Sequence, residues 1–304
     1  MRVEQSVENA LHKEVCMVKV RVLRACWVAA ATALILVATP SYAAQPSAEE
    51  LARASTTKRE LLTSRIAALT GEIESGTLEG KELADAYRLR GIAYSQLSED
   101  ERAVRDFTSA IELEQVAVEY YADRAITYLR LREFKKANTD LDMALGLNPK
   151  YPPGHREKGR LSAYQGDWDE AARSFALAKE NDQGMGAAYA AIWVQVAAMR
   201  AGFKGTSLTT TLPPAQWPAP IVHMLIGKIS PEQAIAAADN PDPTTYLEQK
   251  CEVYFYAGEY YVAHNDTERA RAAFEAAVAT GVMEFLQYDW ARRELELMGT
   301  GKKQ

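Results

Sequence analysis

Cysteine and histidine are scarce in these 304 residues, with three of the first and four of the second. Cys16 and Cys26 fall near the N-terminus, so Cys251 stands alone in the remainder. No intrachain disulfide framework can form there, and stability has to come from packing. Cys251 reads as a small buried hydrophobe, with a chain-to-chain disulfide as the lesser alternative. The histidines sit at 12, 155, 223 and 264 with no H-x-x-x-H spacing and no cysteine pair beside them, so no metal site is expected. G-x-S-x-G, P-loop and C-x-x-C patterns are absent too, so no catalytic residue and no cofactor are expected. Acidic pairs such as Asp100/Glu101 and Asp167/Asp169 open helical stretches, where solvated N-capping is the plain reading.

Long apolar runs are nearly missing. The exception, WVAAATALILVA at 27–38, follows Lys19, Arg21 and Arg24 and precedes Pro40 and Ser41-Tyr42-Ala43. A basic segment, an apolar core and a small-residue site describe a secretory signal peptide over 1–43. The core is short of the roughly 20 residues that a membrane span needs. Export to the periplasm follows as the expectation. The alternative is an uncleaved leader anchoring the protein in the inner membrane, facing the periplasm. Met17 would give the leader a more usual length. No cysteine stands at the cleavage point after the apolar core, since Cys16 and Cys26 precede it, so lipidation is not expected.

Residues 1–43 hold five basic and three acidic side chains, which leaves 30 Lys+Arg against 38 Asp+Glu, a net charge of −8. An acidic surface disfavours nucleic acid and anionic membrane as partners.

What the sequence does have is a repeat. SEDERAVRDFTSA (98–110), REFKKANTDLDMA (132–144), GDWDEAARSFALA (166–178) and NDTERARAAFEAA (265–277) share one pattern. In the first three, Gly91, Ala125 and Gly159 are spaced by 34 residues, as are Ala103, Ala137 and Ala171, and Phe107, Leu141 and Phe175. Two helical stretches per unit at a fixed period predict an all-α helix–turn–helix solenoid. The small residues let paired helices approach, and the Ala and Phe/Leu positions form one apolar stripe. The fourth copy does not keep the period, since Phe274 lies 99 residues after Phe175.

The columns resemble the tetratricopeptide repeat (TPR) family. They run Tyr87, Gly91, Tyr94, Ala103, Phe107, Ala110 in 84–117, then Tyr121, Ala125, Tyr128, Ala137, Leu141, Ala144, Pro149 in 118–151. In 152–185 they are His155, Gly159, Ala171, Phe175 and Ala178, with Ser162 and Gln183 departing. A further TPR-like unit over 251–284 carries Tyr254, Gly258, Tyr261, Ala270, Phe274 and Ala277.

The remaining boundaries follow. Residues 44–54 read as a mobile tail and 55–83 as an N-terminal capping region. Residues 186–250 read as a degenerate repeat, a Pro/Thr-rich loop near 201–219 and insertion helices, with Ser230-Pro231 and Asp242-Pro243 as helix starts. Residues 285–304 read as a capping helix and tail, with Tyr288, Ala291 and Leu295 inward. The segment 217–297 is also similar to the periplasmic new lipoprotein I family. That resemblance implies a scaffold between cell-wall hydrolases and a processing protease.

The TPR resemblance implies that first helices line a concave groove for a peptide or partner protein. The groove positions it points to are Arg88, Ile92, Ile126, Leu129, Arg156, Arg160, Phe255 and Glu259. The Lys/Asn pair of one carboxylate-gripping subgroup is missing at Arg88/Ile92 and Ala122/Ile126. The arginines suit carboxylates on an acidic peptide, or they pair with neighbouring acids on a solvated face. Phe255, Tyr256 and Tyr260 read as core before they read as a recognition stripe. The expected function is that of a non-enzymatic exported adaptor, with a homodimer through the capping helix as a further association. The competing readings are an envelope enzyme with a site in 201–250, built on His223 beside Glu232 or Asp239, and a structural subunit of an envelope complex.

Overall fold

The computed structural model describes residues 45–203, 213, 216–283 and 285–300. The expected leader, the stretch 204–212 of the Thr-rich loop and the tail 301–304 lie outside the described residues. Among the described residues there are thirteen α-helices and no strand. They are α1 (Ala48–Glu74), α2 (Gly80–Gln96), α3 (Asp100–Leu113), α4 (Val118–Arg130), α5 (Phe134–Leu147), α6 (Pro152–Gln165) and α7 (Trp168–Asn181). Then follow α8 (Gly184–Arg200), α9 (Ala219–Leu225), α10 (Pro231–Ala237), α11 (Pro243–Ala263), α12 (Thr267–Ala279) and α13 (Leu286–Gly299). None of the described helices is long and apolar enough to cross a membrane.

The helix–turn–helix solenoid expected from the period is what these elements build. α2 pairs with α3, α4 with α5, α6 with α7 and α11 with α12, while α2, α4, α6, α8 and α11 follow one another as an inner layer. Within each pair the turn is the same. Ser98, Arg132, Gly166 and Asn265 take left-handed backbone with φ of 60°, 58°, 83° and 59°. The next N–H then reaches back to the first helix, as in Glu133 N to Tyr128 O at 2.8 Å and Asp266 N to Tyr261 O at 2.9 Å. This is the bond pattern that closes a Schellman-type helix end. Second helices bury the predicted stripe: Ala103, Phe107, Ala137, Leu141, Ala171, Phe175, Ala270 and Phe274 are all sealed from solvent. A Cβ built on Gly91 or Gly159 would lie 2.8 Å from the Phe107 or Phe175 ring, and one on Gly258 would lie 2.3 Å from Phe274. Each unit's helices therefore meet ring against bare backbone.

A second periodic device ties the helices of a unit. Arg90 makes a fork to both oxygens of Asp106 at 2.8 Å and donates to Thr70. One repeat on, Arg124 does the same with Asp140 (2.7 and 2.8 Å) and Thr108. Bidentate pairs of this kind fix orientation as well as charge.

Several expectations change. The late fourth copy is a delay in sequence only. α11 packs directly on α8, and the short helices α9 and α10 lie against them where a second helix would stand. Residues 48–54, expected as a mobile tail, are the first turns of α1. Ser47 and Glu50 form a capping box there, with Glu50 N to Ser47 Oγ at 3.2 Å and Ser47 N to Glu50 Oε2 at 2.7 Å, and this starts the helix early. Ser230-Pro231 and Asp242-Pro243 do open α10 and α11, with both caps formed. Asp100 is not a solvated cap: its side chain pairs with Arg130 at 3.2 Å and is mostly buried. The inward face of α13 carries Trp290, Ala291, Gln287 and Glu294, with Leu295 packed against the core as expected, while Tyr288 is only partly buried and is not part of that packing.

The first described helix also meets the far end of the array. α1 packs on both α2 and α11, with Lys58 to Glu248 at 3.0 Å and Gln45 to Asp239 at 3.1 Å. From the other side α13 reaches the turn after α4 through Glu296 to Arg132 at 3.0 Å, and α6 through Arg293 to the Tyr164 carbonyl at 2.8 Å. The inner layer is thereby drawn into a ring.

Candidate binding cavity

Every inner helix contributes to one cavity of about 450 Å³ inside that ring. α2 supplies Ile92, Ser95 and Gln96; α4 supplies Asp123, Ile126 and Arg130; α6 supplies Arg156 and Arg160. Tyr189 of α8, Glu252 of α11 and Phe285, Leu286 and Gln287 at the start of α13 complete the wall. Phe107 shows through beside Gly91 as part of an apolar floor with Ile92 and Ile126.

Of the residues expected in the groove, the structure brings Ile92, Ile126, Arg156 and Arg160 together here. The other four lie elsewhere, for physical reasons. Arg88 turns to Asp123, Nε to Oδ2 at 2.6 Å, and does not line the cavity. Leu129 is fully buried in the main core. Phe255 is buried as well, its ring 5.7 Å from Trp193 and 6.1 Å from Phe274. Glu259 is 1% exposed and faces Arg200 at 3.6 Å inside the α8–α11–α13 interface. An open superhelix would expose those positions; here the C-terminal helices fold across the groove and bury them.

The sequence reading missed Arg130, Asp123 and Tyr189 as wall residues; Glu252, at a groove-facing position of the last repeat, joins them. Arg130 is almost wholly buried and donates to the Ser95 carbonyl at 3.0 Å while standing between Asp100 and Asp289. Burial pushes the Asp100 carboxyl up to about 6 despite that arginine, and it raises Asp289 as well.

Glu252 is 7% exposed, and one of its oxygens is tied twice. Oε2 accepts from Trp217 Nε1 at 2.7 Å and from the Tyr189 hydroxyl at 2.8 Å. Its Oε1 accepts no hydrogen bond from a described residue and is not sealed from solvent. Burial pushes this carboxyl up to about 7, against the pull of its two donors. Trp217 belongs to the stretch between α8 and α9, so the inserted segment braces a wall residue of the cavity.

The arginines of α6 are each half-engaged. Arg156 pairs through Nη1 with Asp182, and Arg160 through Nη1 with Glu157. Nε and Nη2 of Arg156 and Nη2 of Arg160 make no hydrogen bond to a described residue and are not sealed off, while Arg160 Nε is sealed with no partner among the described residues. The cavity therefore offers forked N–H donors, two held carboxylates, Glu252 and the Arg88-bound Asp123, and an apolar floor. No group of His, Cys, Asp and Glu suited to a metal ion occurs among the described residues. Glu232 accepts from Tyr261 at 2.9 Å and Asp239 pairs with Lys250 at 2.7 Å. No hydrogen bond or ion pair links either acid to His223 among the described residues.

No family model matches the chain. Among solved structures it is similar to a tetratricopeptide repeat protein from Parabacteroides merdae ATCC 43184, at 18% identity over 82% of this chain and 97% of that one, with a TM-score of 0.46. It is similar as well to YrrB, described as a TPR protein with an unusual peptide-binding site, at 16% identity over 75% of this chain and 98% of that one, TM-score 0.38. A third is the first TPR of Spaghetti (RPAP3) bound to the HSP90 peptide SRMEEVD, at 18% identity over 42% of this chain and 100% of that one, TM-score 0.37.

Proposed function

We propose that this protein is an exported, non-enzymatic adaptor that holds a segment of a partner protein in the cavity at the centre of its ring. The observation that carries the reading is the convergence of five successive inner helices on one solvent-open space, lined by donors, an acceptor and an apolar floor. Binding sites favour such concave, mixed linings with a few oriented polar groups. Export rests on the leader at 1–43 and is tested by fractionation with N-terminal sequencing. A mature chain starting at Ala44 in the periplasmic fraction is the expected result. The resemblance of the C-terminal half to the new lipoprotein I family makes cell-wall hydrolases and proteases the first partners to try.

The partner reading is tested by pull-down from a periplasmic extract. An Arg156→Glu/Arg160→Glu variant should lose its captured proteins, while Arg173→Glu on the exposed side of α7 should keep them. Capture that is unchanged in the double variant removes the cavity as the partner site.

A further inference from the structure

We infer that the cavity recognises a short amphipathic zwitterion, a small peptide with both ends free, through Glu252 at its ammonium and Arg156 and Arg160 at its carboxylate. This deepens the reading of the cavity as the binding site and rests on it. The first observation is size. About 450 Å³ lies within the roughly 300–1,000 Å³ of small-molecule sites.

The second observation is how the charges are held. Glu252 is buried, and its Oε2 is fixed by Trp217 and Tyr189, so the carboxylate cannot turn away. Its remaining oxygen Oε1 is open to the cavity and needs a donor. Round the ring from α11, two inner helices away, α6 presents the unengaged donors of Arg156 and Arg160. Their acidic partners Asp182 and Glu157 hold the guanidinium planes while occupying one nitrogen each. A guanidinium fork suits a carboxylate, and a fixed carboxylate suits an ammonium. Ile92 and Ile126 line the same cavity and suit an apolar side chain. A wall that carries both signs of charge selects against ligands that carry only one.

The probe is an equimolar tripeptide mixture with free termini, tested beside its N-acetylated and C-amidated forms and a longer peptide blocked at both ends. Retention on the purified protein is read by mass spectrometry. Acetylation and amidation should each weaken binding to the unaltered protein by about tenfold or more, the worth of a charged hydrogen bond. In Glu252→Gln the acetylation effect should vanish while the amidation effect persists, and in Arg156→Gln the reverse should hold. Circular dichroism at matched temperature keeps folding losses apart from binding losses. Equal retention of free and blocked tripeptides overturns the inference, as does no retention at all. Strong binding of the blocked longer peptide alone overturns it too, yet leaves the partner reading standing. That reading falls separately, on the unchanged pull-down of the Arg156→Glu/Arg160→Glu variant.

Discussion

At the scale of single residues, the glycines of the first helices divide by what stands opposite them. Gly258 faces the buried Phe274 ring so closely that a methyl group would overlap it. Gly258→Ala should destabilise the protein by roughly 1–3 kcal/mol, the usual cost of overpacking a tight core. Gly71 of α1 has nothing within 4 Å of its built Cβ, so Gly71→Ala should stabilise by roughly 0.5–1 kcal/mol through helix propensity. Urea unfolding of the two variants checks both signs. Titratable residues give a second test. Burial raises Glu252 to about 7, raises Asp100 to about 6 and raises Glu259. A raised carboxyl holds a proton in the folded protein that the unfolded chain has released. Its contribution is complete below the unfolded value near 4.5 and fades as pH climbs through about 7. Unfolding free energy should therefore fall between about pH 4.5 and pH 7, and Glu252→Gln should flatten that slope. A slope that is the same in the variant would mean that other groups set it.

At the scale of elements, the turn inside each unit is the repeated weak point. Gly166 occupies the left-handed position comfortably, but Ser98, Arg132 and Asn265 hold the same conformation with a side chain. Ser98→Gly should raise stability by about 0.5–1 kcal/mol, because the strain of a left-handed non-glycine residue is of that order. A thermal scan that shows no rise or a fall counts against this. The same turns explain what could be read in advance. Ala103, Phe107 and their period-34 successors were legible because a stripe on one helix depends only on local spacing. So were Ser230-Pro231 and Asp242-Pro243, whose caps are local signals too. The Arg90–Asp106 and Arg124–Asp140 forks join residues 16 apart, and charge at that spacing looks like any solvated helix face. That Ile92, Ile126, Arg156 and Arg160 share one cavity was legible because inner helices keep one face inward. Leu129, Phe255 and Glu259 lie outside the cavity because neighbouring helices bury them, α8 and α13 in the case of the two α11 residues, and nothing in the spacing of a repeat announces what a distant helix will cover.

At the scale of the molecule, α13 does more than end an array with a polar face. Trp290 is fully buried against Tyr164, 4.1 Å between ring centres, and against Trp193 at 5.3 Å. Around it Arg200 and Arg293 meet Glu294, which is also fully buried. Trp290→Ala should cost roughly 3–5 kcal/mol, as for other large aromatics removed from a core, and tryptophan fluorescence should report the loss together with circular dichroism. The contact of Lys58 with Glu248 joins residues 190 positions apart, although as a partly exposed ion pair it contributes under about 1 kcal/mol by itself. Its weight lies in topology. An open array folds by adding one unit to the next, and its outer units fray before the middle does. When α1 is seated on α11, the outermost unit has a neighbour on both sides, so one-by-one melting loses its natural starting place. The time needed to find the folded state should lengthen accordingly, because a long loop must close before that seam rewards it.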